Sequence, residues 1–97
     1  MSHYTASSFE EAMIQFIECI EAVPPLPIFL VGSGGNGKTA LTHTCMENLQ
    51  LANRTVARPG HPKYKQELSP LYVYEVYSES DVVLPSHVID MNKVKFK

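Results

Sequence analysis

Gly32-Ser33-Gly34-Gly35-Asn36-Gly37-Lys38-Thr39 fits the pattern G-x-x-x-x-G-K-[S/T] without a mismatch, and its flanks give that pattern mechanical meaning. Ile28-Phe29-Leu30-Val31 comes before it, a short apolar run of the kind that forms a buried parallel strand. Ala40 to Leu49 comes after it, with Leu41, Cys45 and Leu49 spaced four apart on one helical face. A glycine-rich backbone between strand and helix can approach a ligand without Cβ clashes. Its successive N–H groups then form a nest for an anion at the positive end of the helix dipole. On this reading Gly32, Ser33, Gly34, Gly35, Asn36, Gly37, Lys38 and Thr39 bind a nucleotide's phosphates. Lys38 reaches the β- and γ-phosphates and the Thr39 hydroxyl ligates Mg²⁺. The fixed residues arise by chance in so short a chain on the order of a few times in a thousand.

Outward from that stretch, the chain reads as one domain over residues 1–97, with 44% hydrophobic and 19% charged residues and a formal net charge of −2. This balance asks for neither nucleic acid nor membrane. No apolar run approaches the roughly 20 residues of a membrane span. Met1–Ser8 lacks the basic-then-apolar layout of a signal peptide. Cys19 and Cys45 fall in predicted helices, so free buried thiols and a reducing, cytoplasm-like compartment are expected. His3, His43, His61 and His87 show no metal-ligand spacing. Charge is uneven: Glu10, Glu11, Glu18 and Glu21 crowd the first stretch, while Arg54, Arg58, Lys63 and Lys65 form a basic one.

In chain order, Ser7-Ser8-Phe9-Glu10-Glu11 contains two overlapping capping boxes, Ser7 with Glu10 and Ser8 with Glu11. Phe9, Met13, Phe16, Ile17, Ile20 and Val23 then recur at helical spacing, with Gln15 and the glutamates on the outer face. Pro24-Pro25-Leu26-Pro27 ends that helix and imposes extended geometry. Arg54–Arg58 reads as a weak second strand, Pro59–Pro62 as a turn, and Lys63–Leu68 as one helical turn. Leu71–Tyr77 is the strongest strand after the first. Val82–Leu84 reads as a short strand cut by Pro85, and His87–Phe96 as extended. There Val94 and Phe96 alternate with Lys93, Lys95 and Lys97, which suits an exposed edge strand.

A nucleotide hydrolase also needs an acid near the end of a neighbouring strand, to hold Mg²⁺ or orient water. Glu75, after Leu71-Tyr72-Val73-Tyr74, is the first candidate, with a solvent-facing glutamate as the alternative. Asp81 and Asp90 come next. The catalytic assignment is therefore Lys38 and Glu75, and the metal assignment Thr39 and Glu75.

Over roughly residues 9–75 the chain resembles P-loop NTPases, most closely the ATPase core of the superfamily 3 helicases of viruses and plasmids. Gly35-Asn36-Gly37-Lys38 is similar to the glycine-asparagine-glycine-lysine loop of that group, and the interval from Lys38 to Glu75 is similarly compact. The resemblance implies ATP and Mg²⁺ as ligands and viral or plasmid replication as the setting. It also implies a later strand with a polar sensor, a DNA-contacting hairpin and an arginine finger. Only 22 residues follow Glu75 and no arginine follows Arg58, so a minimal or truncated relative is expected. Asn92 resembles the sensor asparagine but comes too early in the chain.

The expected fold is a small three-layer α/β domain of the P-loop type, with a mainly parallel sheet, Ile28–Val31 and Leu71–Tyr77 central, and two helices covering its faces. Three functions stay open. The first is an Mg-ATP-binding protein with weak or partner-dependent hydrolysis, its partner a second copy or a larger replication or virion assembly. The second is a structural or accessory interaction protein with a vestigial loop. The third is a nucleic-acid module in which Tyr64 stacks on a base between Lys63 and Lys65, beside Arg54 and Arg58. ATP is the default nucleotide, since no run resembles a guanine-reading motif.

Overall fold

The computed structural model describes residues 3–33, 37–48, 55–57, 69–70 and 72–94. They form, in order, β1 (His3–Thr5), α1 (Phe9–Glu21), β2 (Ile28–Val31), α2 (Lys38–Asn48), β3 (Thr55–Ala57), β4 (Tyr72–Val76), a short 3-10 helix (Glu79–Asp81) and β5 (His87–Asp90). The strands make one sheet in the order β1-β5-β2-β4-β3, and every pairing is parallel. The fold is thus a small three-layer α/β domain, with β2 at the centre and β4 beside it.

Burial explains the strand sequences. All four residues of β2 are buried, because the strand is covered on both faces. Ile28 and Leu30 join Ala12, Phe16 and Cys19 of α1 and Leu41 and Cys45 of α2 in one core. Phe29 and Val31 join Tyr74, Val76 and Val88 in a second core on the opposite face, where Phe29 and Tyr74 stack with ring centroids 4.6 Å apart. Full burial of a side chain the size of Phe16 is worth about 1.5–3 kcal/mol.

Both described helices lie on the same face, whereas one helix to each face was the expectation. Strand order supplies the reason. The crossovers β1-α1-β2 and β2-α2-β3 step in the same direction across the sheet, each passing one strand. A single handedness then puts both helices on one side. The connection from β4 to β5 steps back across β2, so the same handedness sends it over the other face, and its Val82 packs there.

Several local expectations change. Ser8 alone caps α1, its hydroxyl accepting from Glu11 N at 3.1 Å. Glu11 turns back to Ser7, accepting from its N–H at 2.7 Å and its hydroxyl at 2.9 Å, so the box pairing Ser7 with Glu10 does not form. These two bonds hold the Glu11 carboxyl below its ordinary value. The buried stripe of α1 is Ala12, Gln15, Phe16 and Cys19, flanked by the half-buried Phe9, Met13, Ile17 and Ile20. Gln15 therefore faces inward, and Val23, beyond the helix, is 92% exposed. Val82–Leu84 is not a strand: it belongs to the connection over the second face, with Val83 and Leu84 in solvent.

β5 is an inner strand between β1 and β2 and stops at Asp90, so the lysine-edged strand through Phe96 is also corrected. Met91 N still donates to Val31 O at 2.7 Å, then a turn closed by Val94 N on Met91 O drops Val94 into the first core. The described edge strands are β1, which the sequence reading missed, and β3. Leu49, Arg54, the basic residues from Arg58 to Lys65, the turn at Pro59–Pro62, the helical turn at Lys63–Leu68, and Lys95–Lys97 lie outside the described residues.

Candidate functional site

The carboxyl ends of β2, β4 and β5 converge on the glycine-rich loop. The sheet clamps its first residue: Gly32 N donates to Val76 O at 3.1 Å, one step beyond the pairing of Val31 with Val76. Ser33 N donates to Oδ1 of Asn92 at 3.1 Å. Gly34, Gly35 and Asn36 lie outside the described residues. At the far side Gly37 takes φ of 87°, a left-handed conformation that only glycine adopts without a Cβ penalty. Its carbonyl accepts from Leu41 N at 2.8 Å and so starts α2.

Lys38 is the first residue of α2 and is only 7% exposed. Its ammonium bends back over the loop, donating to Gly32 O and, at 3.2 Å, to Ser33 O. The Tyr77 ring lies beneath it at 5.3 Å. Burial pulls the lysine below its ordinary value, and the negative charge of Glu75 opposes that pull. The Thr39 hydroxyl donates to Glu75 Oε1 at 2.9 Å. Thr42 donates its hydroxyl to Lys38 O at 3.0 Å and secures the first turn.

Glu75 therefore does not face solvent. It is 3% exposed and pairs in register with Leu30, whose side chain lies in the helix-side core. Alternation along β4 sends Val73 and Glu75 to that face and Tyr72, Tyr74 and Val76 to the other. Lys38, Thr39 and Glu75 are thus brought together as the sequence reading expects. The other two acids take other places. Asp81 ends the 3-10 helix. Asp90 Oδ1 accepts from both the backbone N–H and the side-chain amide of Asn92, at 2.9 and 3.0 Å.

Two further residues adjoin the loop with only a weak local signal in the sequence. Asn92 contacts the loop's second residue, and the available signal was a polar residue just past an apolar strand. Tyr77 sits against Lys38, and its signal was its place two residues beyond Glu75. Among the described residues no three His, Cys, Asp or Glu side chains group to hold a metal, and no described helix is long and apolar enough to cross a membrane. His87 lies at the opposite end of the sheet, paired with Ile28. It is 2% exposed, neither ring nitrogen has a hydrogen-bond partner among the described residues, and burial, followed by the N-terminal charge, lowers its pKa.

No known family model matches the chain, and neither a curated protein nor a solved structure matches it.

Proposed function

We propose that the chain binds Mg-ATP through the loop from Gly32 to Thr39 and hydrolyses it slowly, or at speed only with a partner. The observation that carries this reading is the 2.9 Å hydrogen bond between the Thr39 hydroxyl and the buried Glu75 carboxylate. A glutamate on the far face of the sheet would have removed the second half of the site.

The residues present fit the ligand. Thr39 and Glu75 offer hard oxygen donors side by side, and Mg²⁺ is ordinarily held by one or two protein groups, with phosphates and water completing its shell. Lys38 offers an ammonium over the loop, and Gly37 leaves the cradle free of a Cβ. When bound, Mg-ATP supplies a phosphoanhydride whose cleavage releases phosphate. The chain's own groups then have distinct tasks. Lys38 sets positive charge where phosphate oxygens gather, Thr39 and Glu75 hold the metal, and Glu75 accepts a hydrogen bond that orients water. ATP is the default nucleotide because no guanine-reading run is present. A place in viral or plasmid replication rests on the likeness of the loop alone. Cys19 and Cys45, buried and pushed up to about 12 and about 11, stay protonated near neutral pH and suit a reducing compartment.

The test is calorimetric titration of Mg-ATP into the parent chain and into Lys38→Ala. Binding by the parent and its loss in the variant are expected, because charge-assisted hydrogen bonds are roughly twice as strong as neutral ones. Equal affinity in the two would exclude the role given to Lys38. No binding by the parent would leave the accessory-protein reading in its place.

A further inference from the structure

We propose that Asn92, locked by Asp90, is a positioning residue that fixes the start of the phosphate loop and thereby sets its affinity for nucleotide without touching the nucleotide. The inference rests on the Mg-ATP reading above and adds a residue to it.

The geometry is a relay of three short links. Asp90 is the last residue of β5, and its Oδ1 accepts from Asn92 N at 2.9 Å and from Asn92 Nδ2 at 3.0 Å. An amide whose nitrogen is engaged by a carboxylate must present its oxygen elsewhere. That oxygen accepts from Ser33 N at 3.1 Å. The amide could not be reversed without setting a carbonyl against the carboxylate and an NH₂ against an N–H, so its orientation is fixed chemically.

Both ends of the relay are anchored. Asp90 O accepts from Ala6 N at 2.9 Å, and Met91 N donates to Val31 O at 2.7 Å, which ties the segment to the strand that feeds the loop. Met91 and Val94, on either side of the turn, are buried in the helix-side core. Asn92 and Lys93 are left at the surface, so Asn92 gains nothing from burial. Among the described residues, its interaction outside its own turn is with Ser33 of the loop.

The consequence is directional. With Ser33 N–H committed to Asn92, the loop departs from the sheet at a set angle, and the Ser33 carbonyl is turned toward the Lys38 ammonium at 3.2 Å. The same peptide segment is therefore held from two sides, by Asn92 at its N–H and by Lys38 at its carbonyl. Releasing the first lets the segment rotate and adds an ordering cost to every binding event, without removing any group that meets the phosphates.

The experiment compares the parent, Asn92→Ala, Asp90→Ala and Asp90→Asn. Mg-ATP affinity is measured by calorimetry, thermal stability without nucleotide, and amide hydrogen exchange at Ser33 without nucleotide. Loss of one net hydrogen bond corresponds to about fivefold weaker binding. Asn92→Ala and Asp90→Ala are expected to show that loss together with faster Ser33 exchange. Asp90→Asn keeps an oxygen that accepts from Asn92, so it is expected to bind and exchange like the parent. A purely structural role would lower the melting temperature of both alanine variants and leave the affinity of the folded protein unchanged, which would overturn the proposal. Equal loss in Asp90→Asn and Asp90→Ala would overturn it as well, since charge and not the acceptor would then matter. If the parent binds no Mg-ATP, the functional reading itself fails and this proposal falls with it. If the parent binds and Asn92→Ala binds equally well, only the positioning role fails.

Discussion

The contact between Thr39 and Glu75 can be measured without any nucleotide, through a double-mutant cycle of Thr39→Ala and Glu75→Ala. The bond is 2.9 Å long, from a hydroxyl to a carboxylate that is 3% exposed. Hydrogen bonds to charged groups are worth about 1.5–3 kcal/mol. Thr39 itself is exposed, so its hydroxyl gives up little and regains a partner in water when the bond is lost. That puts the coupling near the low end, about 1–1.5 kcal/mol. Glu75→Ala alone would cost more, because it empties a buried position under α2, but that term appears on both sides of the cycle and cancels. The assay is urea unfolding of the four proteins at neutral pH, with the cycle built from transition midpoints at a shared slope. A coupling within about 0.3 kcal/mol of zero, the scatter of independent sites, would refute the contact and with it the placement of Glu75 beside the loop.

Stability should fall in acid through His87. Its folded pKa lies below the unfolded value of about 6.5, so the unfolded chain takes the proton first and stability declines as pH drops below that value, by at most about 1.4 kcal/mol per unit. Urea midpoints at about pH 7.5 and pH 5 should differ less in His87→Leu than in the parent, and an equal drop in both would exclude the histidine as the cause. Glu75→Gln should move the alkaline limb of Mg-ATP affinity to lower pH, since Lys38 loses the charge that opposes its desolvation. Titrations from about pH 7 to 10 that overlay for the two proteins would contradict this. Finally, phosphate release by the purified chain should stay well below ~1 s⁻¹ and rise with protein concentration, because an arginine finger is commonly worth about 10³–10⁵ and no arginine follows Glu75 in the sequence, Arg54 and Arg58 being the only two. Specific activity near ~1 s⁻¹, independent of concentration and lost in Lys38→Ala, would show that the chain is self-sufficient.

The parts legible in the sequence were those with a local signal. Ile28–Val31 reads as a buried strand because it is apolar at every position, and the loop pattern and the α1 cap are set by residues within four of each other. Lys38, Thr39 and Glu75 came together as expected because β2 and β4 are direct neighbours. What the sequence hid was decided at long range. Three residues, His3–Thr5, carry too little pattern to announce a strand, yet they pair with β5 from the far end of the chain. The edge-strand reading of His87–Phe96 failed because alternation of Val94 and Phe96 with lysines looks the same whether the chain continues or turns at Asn92. The inward position of Gln15 is equally silent, since an amide in α1 reads as surface until the neighbouring elements are known. Asn92 was visible as a polar residue after an apolar strand, but its contact with Ser33 depends on β5 lying beside β2, a long-range pairing that no local pattern announces.

That order also explains why the candidate site gathers where it does. In an open parallel sheet, ligands bind outside the carboxyl ends of the strands, at the crevice where connections from adjacent strands leave toward opposite faces. Here the connection after β2 leaves as α2 on the helix side, while the connection after the adjacent β4 leaves over the second face, where Val82 packs. The crevice between them receives Lys38 and Thr39 from one side and Glu75 and Tyr77 from the other. Along β4 the helix-face side chains read outward from Val73 in the core to Glu75 under the first turn of α2, and just past the strand Tyr77 lies beside the ammonium. Glu75 need not be the last residue of its strand, because Thr39 comes down to it from the start of the helix. The arrangement depends on register. A slip of β4 by one residue would turn Glu75 into the aromatic face with Phe29 and Val88 and bring Tyr74 or Val76 under Thr39. Burying a carboxylate among those side chains without a donor would oppose the slip strongly, so the acid that equips the site also helps to fix the pairing that builds it.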